Sequence, residues 1–245
     1  MQVVFLGTGG YHPNERRHTA CVMLPEVGVI FDAGTSFFRV PDRLQTEDVQ
    51  IFLSHAHLDH VIGLTYFLAP MMSGQVRSAK VYGAESTLDA VRNHLFSEPL
   101  FPVMPDYEFL PLTAPVELPQ GGTLTYRGLQ HPGGCLGFRA DWPDGSLAYI
   151  TDTASDPTLR EFVSGVDLLI HECYFPDKQA EWAACTGHSH TTPVAELAAA
   201  AGVGQLILVH LDPRNTADDP IGLEQARRIF PKTILGKDGL VWEST

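Results

Sequence analysis

Four side chains able to hold a divalent cation fall in one short run, Ser54-His55-Ala56-His57-Leu58-Asp59-His60. The residues before it, VQIFL, read as a buried strand, and those after it, VIGLTYFL, as a helix. In an extended chain residues i and i+2 point the same way, so His55 and His57 can grip one ion together. The chain then turns into the helix, which aims Asp59 and His60 at a neighbouring point. Neutral imidazoles and a carboxylate are suitable ligands for zinc and similar divalent metals. A lone histidine at a strand end is more often structural. Three histidines and an aspartate at this spacing read as ligands for two ions.

The elements that must position this run alternate along the chain. Apolar β-rich runs occur at Val3–Leu6, Val29–Phe31, Ile51–Leu53, Leu124–Gly128, Ala148–Ile150, Leu168–Ile170 and Leu206–Val209. Helical patterns cover Asp59–Leu68, Ser86–Leu95, Pro157–Val163, Pro193–Ala201 and Ile221–Phe230. Asp238-Gly239 predicts a hairpin turn near the C-terminus. The segment His94–Pro119 carries six prolines with Phe96, Phe101, Tyr107 and Phe109 among them. Such a segment excludes a long helix or a central strand. It reads as a covering loop on the core, with a wall of the substrate pocket or a dimer contact as the functional alternative.

The 245 residues suit one domain, 1–245. With 16 basic and 29 acidic residues the formal charge is −13, which leaves no basic footprint for a long nucleic acid. No apolar run approaches the roughly 20 residues that span a bilayer, and the opening MQVVFLGTGG lacks a basic leader, so a cytoplasmic protein without a membrane partner is expected. Cys21, Cys135, Cys173 and Cys185 form no CxxC pair, which excludes a zinc ribbon and leaves reduced, mostly buried thiols.

The His-x-His-x-Asp-His run resembles the signature of the metallo-β-lactamase superfamily, and the resemblance extends over nearly the whole chain. His131 follows TLTYRGLQ, Asp152 follows LAYIT and His210 follows QLILV, each just after an apolar strand. The family pattern implies His55, His57 and His131 on one metal. It implies Asp59, His60 and His210 on the other, with Asp152 bridging. It also implies an α/β fold: an αββα sandwich of two mixed β-sheets flanked by helices, with the site along one sheet edge. Asp32, in Phe31-Asp32-Ala33-Gly34, matches a position that supports the site from behind the ligands, where carboxylates orient histidines. A turn aspartate before glycine is the competing reading.

Fold alone does not set the reaction. The opening FLGTGGYHPNERRHT and the following VIFDAGT resemble ribonuclease Z and its relatives. His171-Glu172-Cys173 falls where that branch has His-Glu-Ala-Thr, and Gly187-His188-Ser189-His190 where it has His-Ser-Thr. Cys173 and His190 depart from those patterns; Glu172 and His188 keep them. The resemblance implies that Glu172 orients His188, which protonates the leaving oxygen or binds phosphoryl oxygens. Asp59 could also steer the proton of the attacking water.

The long arm by which ribonuclease Z grips tRNA lies between the counterparts of His131 and Asp152. Here only 20 residues separate them. The expectation is therefore a binuclear hydrolase of a small phosphodiester using two zinc ions, with manganese or iron as substitutes. Its partner would be a small molecule, and a homodimer is open. A lactone or thioester hydrolase on the same metals, a tRNA 3′-processing endoribonuclease and a metal-binding sensor are the alternatives. Arg214, in His210-Leu211-Asp212-Pro213-Arg214, is either an anion contact or a surface residue.

Overall fold

The computed structural model describes residues 1–244. Its first sheet contains β1 (Gln2–Gly7), β2 (Cys21–Leu24), β3 (Val29–Phe31), β4 (Asp48–Phe52), β5 (Ser78–Gly83) and β6 (Tyr107–Pro111). The second contains β7 (Val116–Leu118), β8 (Gly122–Leu129), β9 (Cys135–Trp142), β10 (Gly145–Ile150), β11 (Leu168–Glu172), β12 (Gln205–Val209) and β13 (Thr233–Leu235). The last strand, β14 (Val241–Glu243), returns to the first sheet beside β1. The sheet orders are β14-β1-β2-β3-β4-β5-β6 and β13-β12-β11-β10-β9-β8-β7. In each sheet one half pairs antiparallel and the other parallel.

Strict period-2 side-chain direction sorts the strands between three apolar layers. Val3 and Phe5 of β1 face the second sheet, whereas Val4 and Leu6 pack under helices. In β12, Ile207 and Val209 face the first sheet, whereas Leu206 and Leu208 pack under the opposite helices. Burial on both faces explains why these strands read as continuous apolar runs. The result is the expected αββα sandwich. The inter-sheet layer is aromatic: Phe31 lies 5.8 Å from Phe138 and 5.4 Å from Tyr149 by ring centroid.

The helices are more broken than their periodicity predicts. The region read as Asp59–Leu68 is α1 (Leu58–Val61), a 3-10 stretch Ile62–Phe67, and α2 (Leu68–Met72). Gly63 explains the break. Its N–H donates to Ala33 O at 2.7 Å, and a Cβ there would stand 2.3 Å from Gly34 O. The helix is pressed onto the Asp32–Gly34 turn, and its ladder yields. Next come α3 (Glu85–Ala90), continued by one π turn to Leu95, and a short 3-10 turn Pro157–Arg160. The unforeseen α4 (Ala180–Thr186) follows, then α5 (Thr191–Ala201) and α6 (Leu223–Ile229). Among the described residues no helix is long and apolar enough to cross a membrane.

Two expectations are corrected. Asp238-Gly239 is not a hairpin turn, because β13 and β14 belong to different sheets. Asp238 instead accepts hydrogen bonds from Thr8 N, Thr8 Oγ1, His18 N and Arg39, pinning the sheet crossing. The proline-rich segment is not only a loop. It supplies the edge strands β6 and β7, where a missing N–H is tolerated. Its Phe96 and Tyr107 are buried in the first sheet's outer core. None of its residues lines the cavity at the metal-ligand cluster.

Candidate metal centre

The predicted ligands come from two sheets and meet at one edge. His55, His57, Asp59 and His60 leave the carboxyl end of β4 together. His131 leaves the end of β8, Asp152 that of β10 and His210 that of β12. Crevices beyond the carboxyl ends of parallel strands are where α/β sheets build sites. His55, His57, His131 and Asp152 each bring one ligand atom within 4.8 Å of the others. Asp59, His60 and His210 form a second such group, and Asp152, His188 and His210 a third that overlaps both. His55, His60, Asp152 and His210 are buried.

The rings are fixed from behind. Asp32 is wholly buried and accepts from Ser54 N at 2.8 Å, Ser54 Oγ at 2.9 Å, His60 Nδ1 at 2.8 Å and the Tyr149 hydroxyl at 2.8 Å. Ser54 Oγ spends its hydrogen on that carboxylate, so it accepts from His55 Nδ1 at 3.0 Å. His131 Nδ1 donates to Gly187 O at 3.0 Å. Each arrangement puts a proton on Nδ1 and turns Nε2 into the site, the tautomer a metal requires. On His60, burial is outweighed by the Asp152, Asp59 and Asp32 carboxylates, which raise the imidazole, so a cation there would displace the Nε2 proton. The Asp32 reading as a support is the one the geometry favours.

Glu172 and His188 also meet. The buried Glu172 carboxylate accepts from His188 Nδ1 at 2.9 Å, from Thr153 N at 2.7 Å and from Tyr174 N at 3.2 Å. The His188 ring stacks on Tyr174, 4.7 Å away at 19°. A cavity of about 450 Å³ is lined by His57, Asp59, His131, Asp152, His188 and His210. Arg214 also lines it and is held to Asp212 through Nε at 2.9 Å and Nη2 at 2.8 Å. His190, the departure from the family motif, turns away to Asp177, 2.8 Å from Nδ1.

Charge and strain concentrate here. Burial, reinforced by His60, pushes the His55 imidazole down to about 2. Burial opposes ionisation of Asp59 and Asp152, yet the surrounding histidines hold both carboxyls below the usual range. Burial likewise opposes a charge on His188, but Glu172 outweighs it and raises the imidazole to about 9. Asp32, His210 and Tyr11 have φ of 58°, 54° and 60°, a region that costs non-glycine residues of order 1–3 kcal/mol each. Tyr11 uses that conformation to donate its N–H to Asp59 Oδ2 at 2.7 Å. Gly10 is obligatory beside it, since a Cβ would stand 2.5 Å from the His210 ring.

The donor set fits divalent cations. Among the described residues His55 Nε2 is buried without a hydrogen-bond partner. His60 Nε2 and His210 Nε2 face each other at 3.2 Å, with Asp152 Oδ1 3.3 Å from the first and 3.2 Å from the second. Lone pairs and carboxylates converging in a largely buried site call for positive charge between them.

Sequence reasoning missed Ser54, Tyr149, Tyr11 and the Gly187 carbonyl. A serine beside a histidine or a tyrosine inside a strand carries no motif. Only the fold makes them partners.

A sandwich of two mixed sheets with a His/Asp cluster at the strand ends defines the metallo-β-lactamase class of hydrolase. Residues 28–211 match the β-lactamase superfamily domain, and the chain belongs to that family. Ribonuclease Z of Prochlorococcus marinus (strain MIT 9303) is 31% identical over 311 aligned positions, covering 99% of this chain and 98% of the relative. The alignment is longer than the 245 residues here, so that relative carries sequence this chain lacks. Among solved structures, the metallo-β-lactamase fold protein YhfI from Bacillus subtilis superposes with a TM-score of 0.83 at 22% identity, covering 99% of each chain. A diphosphatase of the PhnP family superposes with a TM-score of 0.74 at 20% identity, covering 100% of this chain and 98% of the other.

Proposed function

We propose that the chain is a binuclear metal-dependent phosphodiesterase acting on small substrates. His55, His57 and His131 would hold one ion and Asp59, His60 and His210 the other, with Asp152 between them. Two such ions would bring the pKa of a water toward neutrality and offset charge on phosphoryl oxygens. Zinc is the expected metal; manganese and iron suit the same donors.

The observation that carries the reaction class is the Glu172–His188 pair, in the same cavity as the ligand cluster. With Nδ1 engaged by Glu172, His188 presents Nε2 to the leaving oxygen and gives it a proton as the alcohol departs. Asp59, held by the Tyr11 N–H, steers the proton of the attacking water. A thioester expels a thiolate, which has less need of such an acid, and this counts against a thioester substrate. A lactone expels an alkoxide and is separated from a phosphodiester by the comparison of turnover below.

Substrate size rests on charge. Binding a folded RNA means neutralising several phosphates with lysine or arginine. Here the formal charge is −13, and among the described residues Arg214, tied to Asp212, is the one lysine or arginine lining the cavity. The relationship to proteins named ribonuclease Z keeps tRNA cleavage as the second reading. The test compares kcat/KM for a chromogenic phosphodiester, a cyclic nucleotide, a lactone and a precursor tRNA in one buffer. The small phosphodiesters should be turned over best. Site-specific tRNA cleavage at physiological salt would replace the reading, as would turnover of the lactone alone.

A further inference from the structure

A second cavity, of about 460 Å³, opens on the helix-covered side of the second sheet, between α5 and the turn Pro157–Arg160. Its walls include Pro157, Pro193, Val194 and Leu197. Its polar side chains include two that the metal centre does not use, Ser155 and His171. His171 is 1% exposed. Its Nδ1 lies 2.7 Å from Glu172 O, which can only accept, so the ring proton sits on Nδ1. Nε2 is then a lone pair, and among the described residues it has no hydrogen-bond partner. Burial lowers the pKa of the ring and keeps it neutral. Ser155 Oγ is buried and likewise without a partner.

We propose that this cavity is a second ligand site, for a small neutral molecule with an apolar, ring-sized body and one N–H or O–H donor. The volume lies within the range of small-molecule pockets, and apolar walls around a few convergent polar groups are their usual lining. The imidazole nitrogen open to the cavity offers an acceptor for a ligand's N–H or O–H, and the buried Ser155 Oγ beside it has no partner of its own among the described residues. The Ser155 hydroxyl can turn either way and so complements a ligand's hydroxyl or ring nitrogen. Three charged residues line the cavity. Arg160 and Glu196 are exposed at the mouth, and the half-buried Asp156 carboxylate is already engaged by Thr158 N at 2.8 Å and Gln130 Nε2 at 3.3 Å, so no pair of like charges is left free to select an ion. The site is back to back with the metal centre. His171 precedes Glu172 on β11, and Ser155 lies three residues after Asp152.

The probes are indole, which has the apolar body and one N–H, and 1-methylindole, which lacks the donor. Both are titrated into the full wild-type chain while methyl resonances of Val194 and Leu197 are followed. Indole should shift them saturably, and 1-methylindole should bind about 3- to 10-fold more weakly, as expected for one net hydrogen bond. His171→Phe keeps the ring and removes the acceptor, and should erase that difference. Equal affinity of the two probes for the wild-type chain overturns the proposal. So does the absence of a saturable shift at Val194 and Leu197, or a shift confined to residues around His57 and His188. The wild-type comparison decides even if His171→Phe does not fold.

Discussion

The two sheets furnish the candidate metal centre in different ways. The first sheet contributes His55, His57, Asp59 and His60 from one turn after β4, and two of those rings share one support. Asp32 holds His60 directly and His55 through Ser54. The second sheet contributes His131, Asp152, His188 and His210 from four separate strand ends or loops. Where a ring there has a backing it is its own: Gly187 O for His131 and Glu172 for His188. A shared support makes the first half a coupled unit. Separate supports let residues of the second half be altered singly. The largest effect is expected where the halves meet. Asp152 lies 3.8 Å from His55 Nε2, 3.3 Å from His60 Nε2, 3.7 Å from His131 Nε2 and 3.2 Å from His210 Nε2. Asp152→Ala should take metal content from two equivalents to below one and activity to background. Elemental analysis of protein purified without chelator reads this directly, and two retained ions would remove Asp152 from the ligand set.

The next effect tests the independence of the second half. His188→Ala should keep both metals and lower kcat by about 10²–10⁴-fold, the usual worth of a general acid. The loss should shrink for substrates whose leaving groups need little protonation. His188 shares a ligand-distance group with Asp152 and His210, so loss of a metal in this variant would make it a ligand instead.

How legible the site was follows the same division. The first half is a contiguous motif, because a strand end running into a helix must carry its ligands close in sequence. His131, Asp152 and His210 each follow an apolar strand, but so do many structural residues, and His188 follows the helix α4; only the resemblance singled out these four. The strands themselves were readable from their apolar runs. The helix after His60 was misread because the pressure of Gly63 on the Asp32–Gly34 turn is a tertiary effect. Tyr149 was invisible as a site residue because its role depends on aromatic packing between the sheets, which sets its hydroxyl under Asp32.

A smaller effect probes the shared support. Asp32→Asn keeps a residue that tolerates positive φ but removes the charge facing His60. Metal affinity should fall by about 10–100-fold, the usual cost of losing a partner behind the ligands. Titration of the metal-free protein with zinc against a competing chelator measures it. An unchanged affinity would mean that the first half is held by its backbone alone.

The smallest effect decides whether that half is coupled. Ser54→Ala removes the hydroxyl that links Asp32 to His55, while the Ser54 N–H to Asp32 Oδ1 at 2.8 Å remains. The His55 ring stays enclosed, with Cys135 Sγ 3.7 Å from its Nδ1, so the loss alone should be only a few-fold in zinc affinity, in line with one net hydrogen bond. The informative quantity is the double-mutant cycle with Asp32→Asn. Groups in one hydrogen-bond network typically show interaction energies of about 0.5–3 kcal/mol, whereas distant, independent sites add within roughly 0.5 kcal/mol. Ser54→Ala with Asp32→Asn should be strongly non-additive, because the carboxylate acts on His55 through the serine. Glu172→Gln with Asp32→Asn should be additive, because the two carboxylates share no hydrogen-bonding partner. Additivity in the first cycle would show that Ser54 orients His55 without help from Asp32, and the contrast between the two halves would then lie in sequence spacing and not in their physics.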